Sequence, residues 1–274
     1  MAGEAWSSKT MTEGYLNDLV YFRHSEIKDV RPTLIFIHGL LGSSSAWQPY
    51  EARFGMDYNL LFLDLRGHGK SVKKNDSKYY SLDLIATDIR DLARTFGVDE
   101  FVLIGHSFGA LLALVFANRY SDMVSKLILL APDYHISQTS GAKIVRLFLG
   151  LARFMVLIPF REREGIHVDY SKFFNTGDWD IKRIYTDIRN TSLRVFCCCL
   201  WQADKIDREK MITDINMPVL IVHGKMDSII PCSDVALMAK KILNAQLKIL
   251  PQANHILVIN NLIEVSDEIE NFIK

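Results

Sequence analysis

Short runs of almost uninterrupted apolar residues, each followed by a helical period, constrain this chain more than any other feature of its sequence. Leu34-Ile35-Phe36-Ile37, Leu60-Leu61-Phe62-Leu63, Phe101-Val102-Leu103-Ile104 and Leu127-Ile128-Leu129-Leu130 are such runs. A strand with one wet face alternates apolar and polar residues. A strand that is apolar throughout must be covered on both faces, as in a mostly parallel sheet flanked by helices. Leu82, Ile85, Ile89, Leu92, Ala93 and Phe96 recur at helical spacing, and Gly97 marks the end of that helix. Val20-Tyr21-Phe22 alternates in part and predicts an antiparallel edge. The polar stretch from Met1 to Thr12 reads as a frayed terminus.

The alternation stops after Pro132 and resumes at Pro218, with Val219-Leu220-Ile221-Val222, then Gln246 to Leu250, then a closing helix near Leu262 to Ile273. The fold class is therefore α/β, with a core domain formed by residues 1–132 and 214–274. It is interrupted at 133–213 by an insertion of about eighty residues that carries no strand signal and reads as a helical cap. Within the insertion, Ile144 to Phe160 is mostly apolar but contains Arg146, Arg153 and Pro159. That is too short and too interrupted for a membrane span, so it is read as an amphipathic cap helix facing a greasy cleft, with weak lipid-surface contact as its alternative use.

Charge narrows the partners. The 32 Lys and Arg balance the 32 Asp and Glu of the 274 residues, whereas a protein that tracks phosphates carries a basic excess. A small, uncharged or apolar ligand is expected, and no nucleic acid. The N-terminal stretch lacks the apolar run of a signal peptide, and three of the four cysteines, Cys197, Cys198 and Cys199, are adjacent, with Cys232 apart. This pattern fits neither a disulfide framework nor a zinc site; the triplet reads as small buried hydrophobes in a helix, and the expected location is cytoplasmic.

The chemistry is announced by Gly105-His106-Ser107-Phe108-Gly109, directly after an apolar strand and directly before the helical run Ala110 to Tyr120. A serine on so tight a strand-to-helix turn needs small residues two positions away on either side, and glycine supplies both. The turn aims the hydroxyl outward and leaves the Phe108 N–H at a helix start, where donors are free for a developing oxyanion. A serine is a poor nucleophile until a base takes its proton. His255 follows the last strand and Asp227 the strand before it, so all three residues belong to the carboxyl edge of the sheet, where α/β folds form their sites. Asp133, just after the Leu127 to Leu130 strand, is the rival for the orienting acid.

With the order Ser, Asp, His, the chain resembles the α/β-hydrolase fold superfamily, in its branch with an inserted helical cap. The resemblance covers nearly the whole sequence outside the cap and the first dozen residues. It includes His38-Gly39-Leu40-Leu41-Gly42, similar to the family's oxyanion loop, and Asp64-Leu65-Arg66-Gly67-His68-Gly69-Lys70-Ser71, similar to the loop after its fourth strand. It implies Ser107 as nucleophile, His255 as base and then acid, Asp227 as the carboxylate fixing the imidazole, and the N–H groups of Leu40 and Phe108 as oxyanion donors, with no metal and no cofactor. His38, His68, His106 and His223 are expected to hold their loops, and Asp64 to brace its own.

Two positions depart from the family pattern: Asn254 precedes the histidine where glycine is common, and Asn260-Asn261 stands where many relatives have glutamate followed by proline. A serine rather than an aspartate at the nucleophile position points to acyl transfer from esters, away from dehalogenases and epoxide hydrolases. An acyl pocket is expected from Leu41, Trp47 and Ile256 with Phe148, Phe154, Met155 and Leu157 of the cap. Three other uses of the same fold stay open. They are carbon–carbon bond hydrolysis, with Arg146, Arg153 or Arg194 holding a substrate carboxylate, a slow-turnover small-molecule receptor, and a lipase acting at a lipid surface.

Overall fold

The computed structural model describes residues 11–133 and 165–274. Its eight strands are β1 (Thr12–Leu16), β2 (Val20–His24), β3 (Thr33–Ile37), β4 (Asn59–Leu63), β5 (Phe101–His106), β6 (Val124–Leu130), β7 (Val219–Gly224) and β8 (Ala245–Leu250). They form one sheet in the order β1-β2-β4-β3-β5-β6-β7-β8. β2 runs antiparallel to both its neighbours, and every pairing from β4 to β8 is parallel. The stretch Val20-Tyr21-Phe22 is thus antiparallel as expected, but it lies one position in from the edge. The edge is β1, within and just beyond the segment read as frayed. Its sequence, Thr12-Glu13-Gly14-Tyr15-Leu16, is short and mostly exposed because only one side is paired, so it shows no apolar period.

Alternation along each strand divides the core into two layers. Ile35, Ile37, Leu61, Leu63 and Leu103 face α2 (Leu82–Thr95) and α3 (Phe108–Arg119), whereas Leu34, Phe36, Leu60, Phe62 and Ile104 face α1 (Gln48–Phe54) and the C-terminal helix Leu262–Ile273. α3 is buried along Phe108 to Ala117 because the sheet lies on one side and α2 on the other. α2 begins with the Ser81 side chain accepting the Leu84 N–H and ends just before Gly97, whose φ is +66°.

Between β6 and β7, described residues 165–213 contain α4 (Ile181–Thr191), α5 (Leu193–Asp204) and α6 (Arg208–Thr213), and no strand. The cysteine triplet lies in α5 with all three side chains buried, and Cys198 and Cys199 pack with Val195 and Ala203 into the core layer of α2 and α3. α7 (Cys232–Lys241), α8 (Leu257–Asn260) and α9 (Leu262–Ile273) complete the chain. Among the described residues, no helix is long and apolar enough to cross a membrane.

Candidate active site

β5 delivers Ser107 onto a backbone kink with φ 53° and ψ −116°, held by the Ser107 N–H donating to the Leu130 carbonyl at 2.8 Å. The glycines that flank it are required by backbone, not by flexibility. A Cβ on Gly105 would stand 2.3 Å from the Gly109 carbonyl oxygen, and one on Gly109 would stand 2.5 Å from that of Ile37. The turn is therefore so tight that strand β3 touches the first turn of α3.

The loops after β7 and β8 reach the same point. His255 Nε2 lies 2.9 Å from Ser107 Oγ, and His255 Nδ1 lies 2.8 Å from Asp227 Oδ2. The other carboxylate oxygen of Asp227 accepts the Ile229 and Ile230 N–H groups, each at 2.8 Å. Burial pushes the Asp227 carboxyl up, but the His255 hydrogen bond and charge with the Ile230 N–H hold it below the ordinary carboxylate range. It is thus kept as an anion facing the imidazole. Asp133, the rival, pairs instead with Arg208 at 3.5 Å.

Four buried histidines hold the loops that surround this chain of contacts. The His106 Nε2–H donates to the His255 carbonyl at 2.9 Å, and the His223 Nε2–H to the Ile230 carbonyl at 3.1 Å. His38 donates from Nδ1 to the Gly39 carbonyl and accepts the Leu65 N–H at Nε2. His68 donates from Nδ1 to the Arg66 carbonyl. Burial lowers the basicity of all four, to about 3 for His106 and His68, so each stays a neutral ring bonded to backbone.

Phe108 opens α3, so its N–H has no acceptor in the helix ladder. In the oxyanion-type loop, the Gly39 carbonyl accepts both the Gly42 N–H and the His38 ring, and the Leu41 carbonyl accepts the Thr191 hydroxyl of α4 at 3.0 Å. Across a trans peptide the Leu40 N–H points opposite to the Gly39 carbonyl. That carbonyl is thus tied back while the N–H faces the other way.

Asp64 is fully buried and braces the loop after β4, as expected of it. Its oxygens accept the Ser44 N–H at 2.7 Å, the Lys70 N–H at 2.8 Å and His167 Nε2 at 2.8 Å. Gly69, at φ +48°, has no room for a side chain, because a Cβ would stand 2.2 Å from Asp64 Oδ2. Burial raises the Asp64 pKa, but the His167 hydrogen bond and charge, with the Ser44 N–H, bring it down to about 2 from 3.8. A carboxyl depressed in the folded state contributes stability that is present above its unfolded pKa and lost as pH falls through its folded one. Acid titration from pH 4 to pH 2 is therefore expected to remove about 2 kcal/mol through this group. Urea unfolding across that range checks it: Asp64→Asn should show a flatter dependence than the parent chain, and parallel curves would contradict the assignment.

The expected pocket residues divide. Leu40 and Leu41 are half-buried beside the site loops, and Ile256 follows His255 directly. Trp47 corrects the expectation. It has no exposed surface and packs on Phe36 and Tyr50, with ring centroids 5.2 and 5.0 Å away, in the layer of α1 and α9. Helix α1 begins at the next residue, and the indole lies in the core. Phe148, Phe154, Met155 and Leu157, like Arg146 and Arg153, lie outside the described residues. Arg194 is buried and donates to the Asn75 carbonyl.

Sequence reasoning missed Asp178. This buried residue of the segment before α4 accepts the His255 N–H at 2.8 Å on one oxygen and the Ser228 N–H and hydroxyl at 2.9 and 2.7 Å on the other. No spacing rule singles it out. The signal lay in the two departures at Asn254 and Asn260, whose amides both donate to the Thr176 carbonyl at 2.9 Å.

Residues 32–262 match the family model described as the alpha/beta hydrolase fold. The chain belongs to the α/β-hydrolase fold family. Among curated proteins it is 35% identical over 127 residues to "Probable lysophospholipase BODYGUARD 4" of Arabidopsis thaliana, covering 46% of this chain and 30% of that protein. It is 26% identical over 266 residues to epoxide hydrolase 3 of Xenopus tropicalis, covering 89% of this chain and 71% of that one. The chain thus spans less than a third of the length of the first of these relatives and most of the second. Among solved structures, the enol-lactonase of Burkholderia xenovorans superposes with a TM-score of 0.73 at 19% identity, over 96% of this chain and 99% of that one. A membrane phospholipase A superposes at 0.75 with the same identity, over 98% and 86%. At such identity these two speak for the fold alone.

Proposed function

We propose that the chain is a serine hydrolase that cleaves carboxylic esters with an apolar acyl group through an acyl-enzyme. The observation that carries this reading is the continuous hydrogen-bonded chain from Ser107 through His255 to Asp227, with Ser107 on a strained turn at the carboxyl edge of the sheet. In the first half-reaction, His255 Nε2 takes the Ser107 proton as Oγ bonds to the ester carbonyl carbon. The carbonyl electrons move onto its oxygen, beside the N–H groups of Leu40 and Phe108. The oxyanion then collapses, and the alkoxide leaves with the proton from His255. In the second half-reaction, water gives its proton to His255 as it attacks the acyl carbon, and Ser107 leaves as the free hydroxyl. Asp227 stays ionised throughout and fixes the imidazole.

The stretch 133–213 is read as the cap over this site, and the bonds from Thr191 to Leu41 and from Asp178 to His255 support that placement. A serine at the reacting position favours ester over epoxide substrates, although several relatives are named epoxide hydrolases. Among the described residues nothing equivalent favours carbon–carbon cleavage: Arg194, the one candidate there for holding a substrate carboxylate, donates to the Asn75 carbonyl.

A fluorophosphonate should label the parent chain and not Ser107→Ala. With chromogenic esters, kcat/KM is expected to rise at least about tenfold from acetate to hexanoate, as burial of several methylenes in an apolar site dictates. Equal specificity constants across the series would remove the apolar acyl pocket from the reading.

A further inference from the structure

Every side chain of the triad geometry is held by its own loop, and the loops after β7 and β8 are joined near their bases by backbone, the Lys225 N–H donating to the Leu250 carbonyl and the Met226 N–H to the Ala253 carbonyl, each at 2.9 Å. The 2.8 Å contact between His255 Nδ1 and Asp227 Oδ2 joins the loop after β8 to the loop after β7. Both backbone bonds fall before Asp227 and His255 in their loops, so the separation of the two side chains themselves rests on contacts further along. Asp178 adds a connection at the triad residues themselves. Its Oδ1 accepts the backbone N–H of His255, and its Oδ2 accepts the backbone N–H and hydroxyl of Ser228, next to Asp227.

Asp178 is itself well placed for this. It is only 5% exposed. Its own carbonyl accepts Arg183 Nη2 at 2.6 Å, and the same guanidinium reaches Asp187 at 3.4 Å, tying the residue to α4. Trp179 Nε1 donates to the Ser228 hydroxyl at 3.0 Å, so the hydroxyl that gives its proton to Asp178 is also held from the other side. Asp180, two residues on, has a different duty: its side chain caps α4 by accepting the Arg183 N–H at 2.7 Å. A buried carboxylate whose oxygens are divided between two separate loops fixes the distance between them.

We propose that Asp178 is a positioning residue for the hydrolase reading above, a clamp that sets the separation of His255 and Asp227 and so makes the insertion part of the catalytic apparatus. Asn254 and Asn260 serve a separable purpose. They seat the same segment through the Thr176 carbonyl, and the Asn175 N–H returns a bond to Asn260 at 2.8 Å, without touching the His255 amide or Ser228. The two roles can therefore be tested apart.

The experiment compares the parent chain with Asp178→Ala, Asp178→Asn and Asn260→Ala, following kcat and KM on a short ester, the fluorophosphonate labelling rate, and the low-field proton resonance of His255 Nδ1. For Asp178→Ala, kcat and the labelling rate are expected to fall about 10- to 100-fold, the cost of a misplacement near 1 Å, with KM changed less than about twofold. The nearly isosteric Asp178→Asn can accept one of the two N–H groups but presents its own donors to the other, so its loss should be intermediate. Asn260→Ala should keep kcat within about twofold, since no group that orients the imidazole is lost. Parental labelling in both Asp178 variants would overturn the clamp, as would an equal loss in Asn260→Ala, which would make attachment of the segment the whole effect. If Asp178→Ala fails to fold, Asp178→Asn alone decides. If the parent chain does not label, the hydrolase reading fails, but the clamp is still judged: the Nδ1 resonance should shift or broaden in Asp178→Asn and stay in place in Asn260→Ala, and an unmoved resonance in Asp178→Asn would refute it.

Discussion

Replacing Ser107 by alanine is expected to lower ester turnover by about 10⁵- to 10⁶-fold, because base, acid and nucleophile act as one unit and removal of the attacking atom leaves only binding and oxyanion contacts. The substitution should leave the fold intact, since the hydroxyl's hydrogen bond in this structure is with His255. A companion variant separates chemistry from strain. At φ 53° and ψ −116° any residue with a Cβ is strained by about 1–3 kcal/mol, whereas glycine is not. Glycine gives back some of that advantage through unfolded-chain entropy, about 0.5–1 kcal/mol. Ser107→Gly should therefore be more stable than Ser107→Ala by about 1 kcal/mol in urea unfolding, the reverse of their usual order, while being equally inactive. Turnover above one part in a thousand in Ser107→Ala would move the nucleophile elsewhere, and a more stable alanine variant would deny the strain.

The residues on which that expectation stands were legible in the sequence for physical reasons that do not extend to the rest of the site. Leu34 to Ile37 and Phe101 to Ile104 are apolar throughout because helices cover both sheet faces, and burial is what an apolar period measures. Gly105 and Gly109 are visible because two backbones meet there and only glycine fits. Thr12–Leu16 is a strand by pairing alone, on the edge, with only Leu16 buried and so no pattern imprinted. Trp47 is misplaced by its neighbourhood: it follows the oxyanion-type loop in sequence, yet a helix starts beside it and turns it into the aromatic layer of Phe36 and Tyr50. Asp178 is a polar loop residue whose partners lie 77 and 50 positions away. Local spacing carries no trace of contacts between loops so distant, and the two asparagines that depart from the family pattern acquire a meaning only with the Thr176 carbonyl beside them.

Asp227→Asn is expected to cost about 10⁴-fold in kcat, and the structure dictates the route. The Asp227 oxygen that does not face His255 accepts two N–H groups, from Ile229 and Ile230. In an asparagine the amide oxygen must stay there, because turning the NH₂ toward those two donors would leave three donors facing one another in a buried place. The NH₂ then faces His255 Nδ1 and donates to it, which fixes the imidazole with its proton on Nε2. That nitrogen can no longer accept the Ser107 proton, so the nucleophile is silenced by a tautomer while the heavy-atom positions barely change. Asp133→Asn should lower kcat by less than about threefold, because Asp133 spends its charge on Arg208 and not on His255. Steady-state kinetics on the two variants, with the His255 ring nitrogens followed by ¹⁵N chemical shift, checks both parts. An unprotonated Nε2 in Asp227→Asn would break the tautomer argument, and comparable losses in the two variants would return the orienting role to the end of β6.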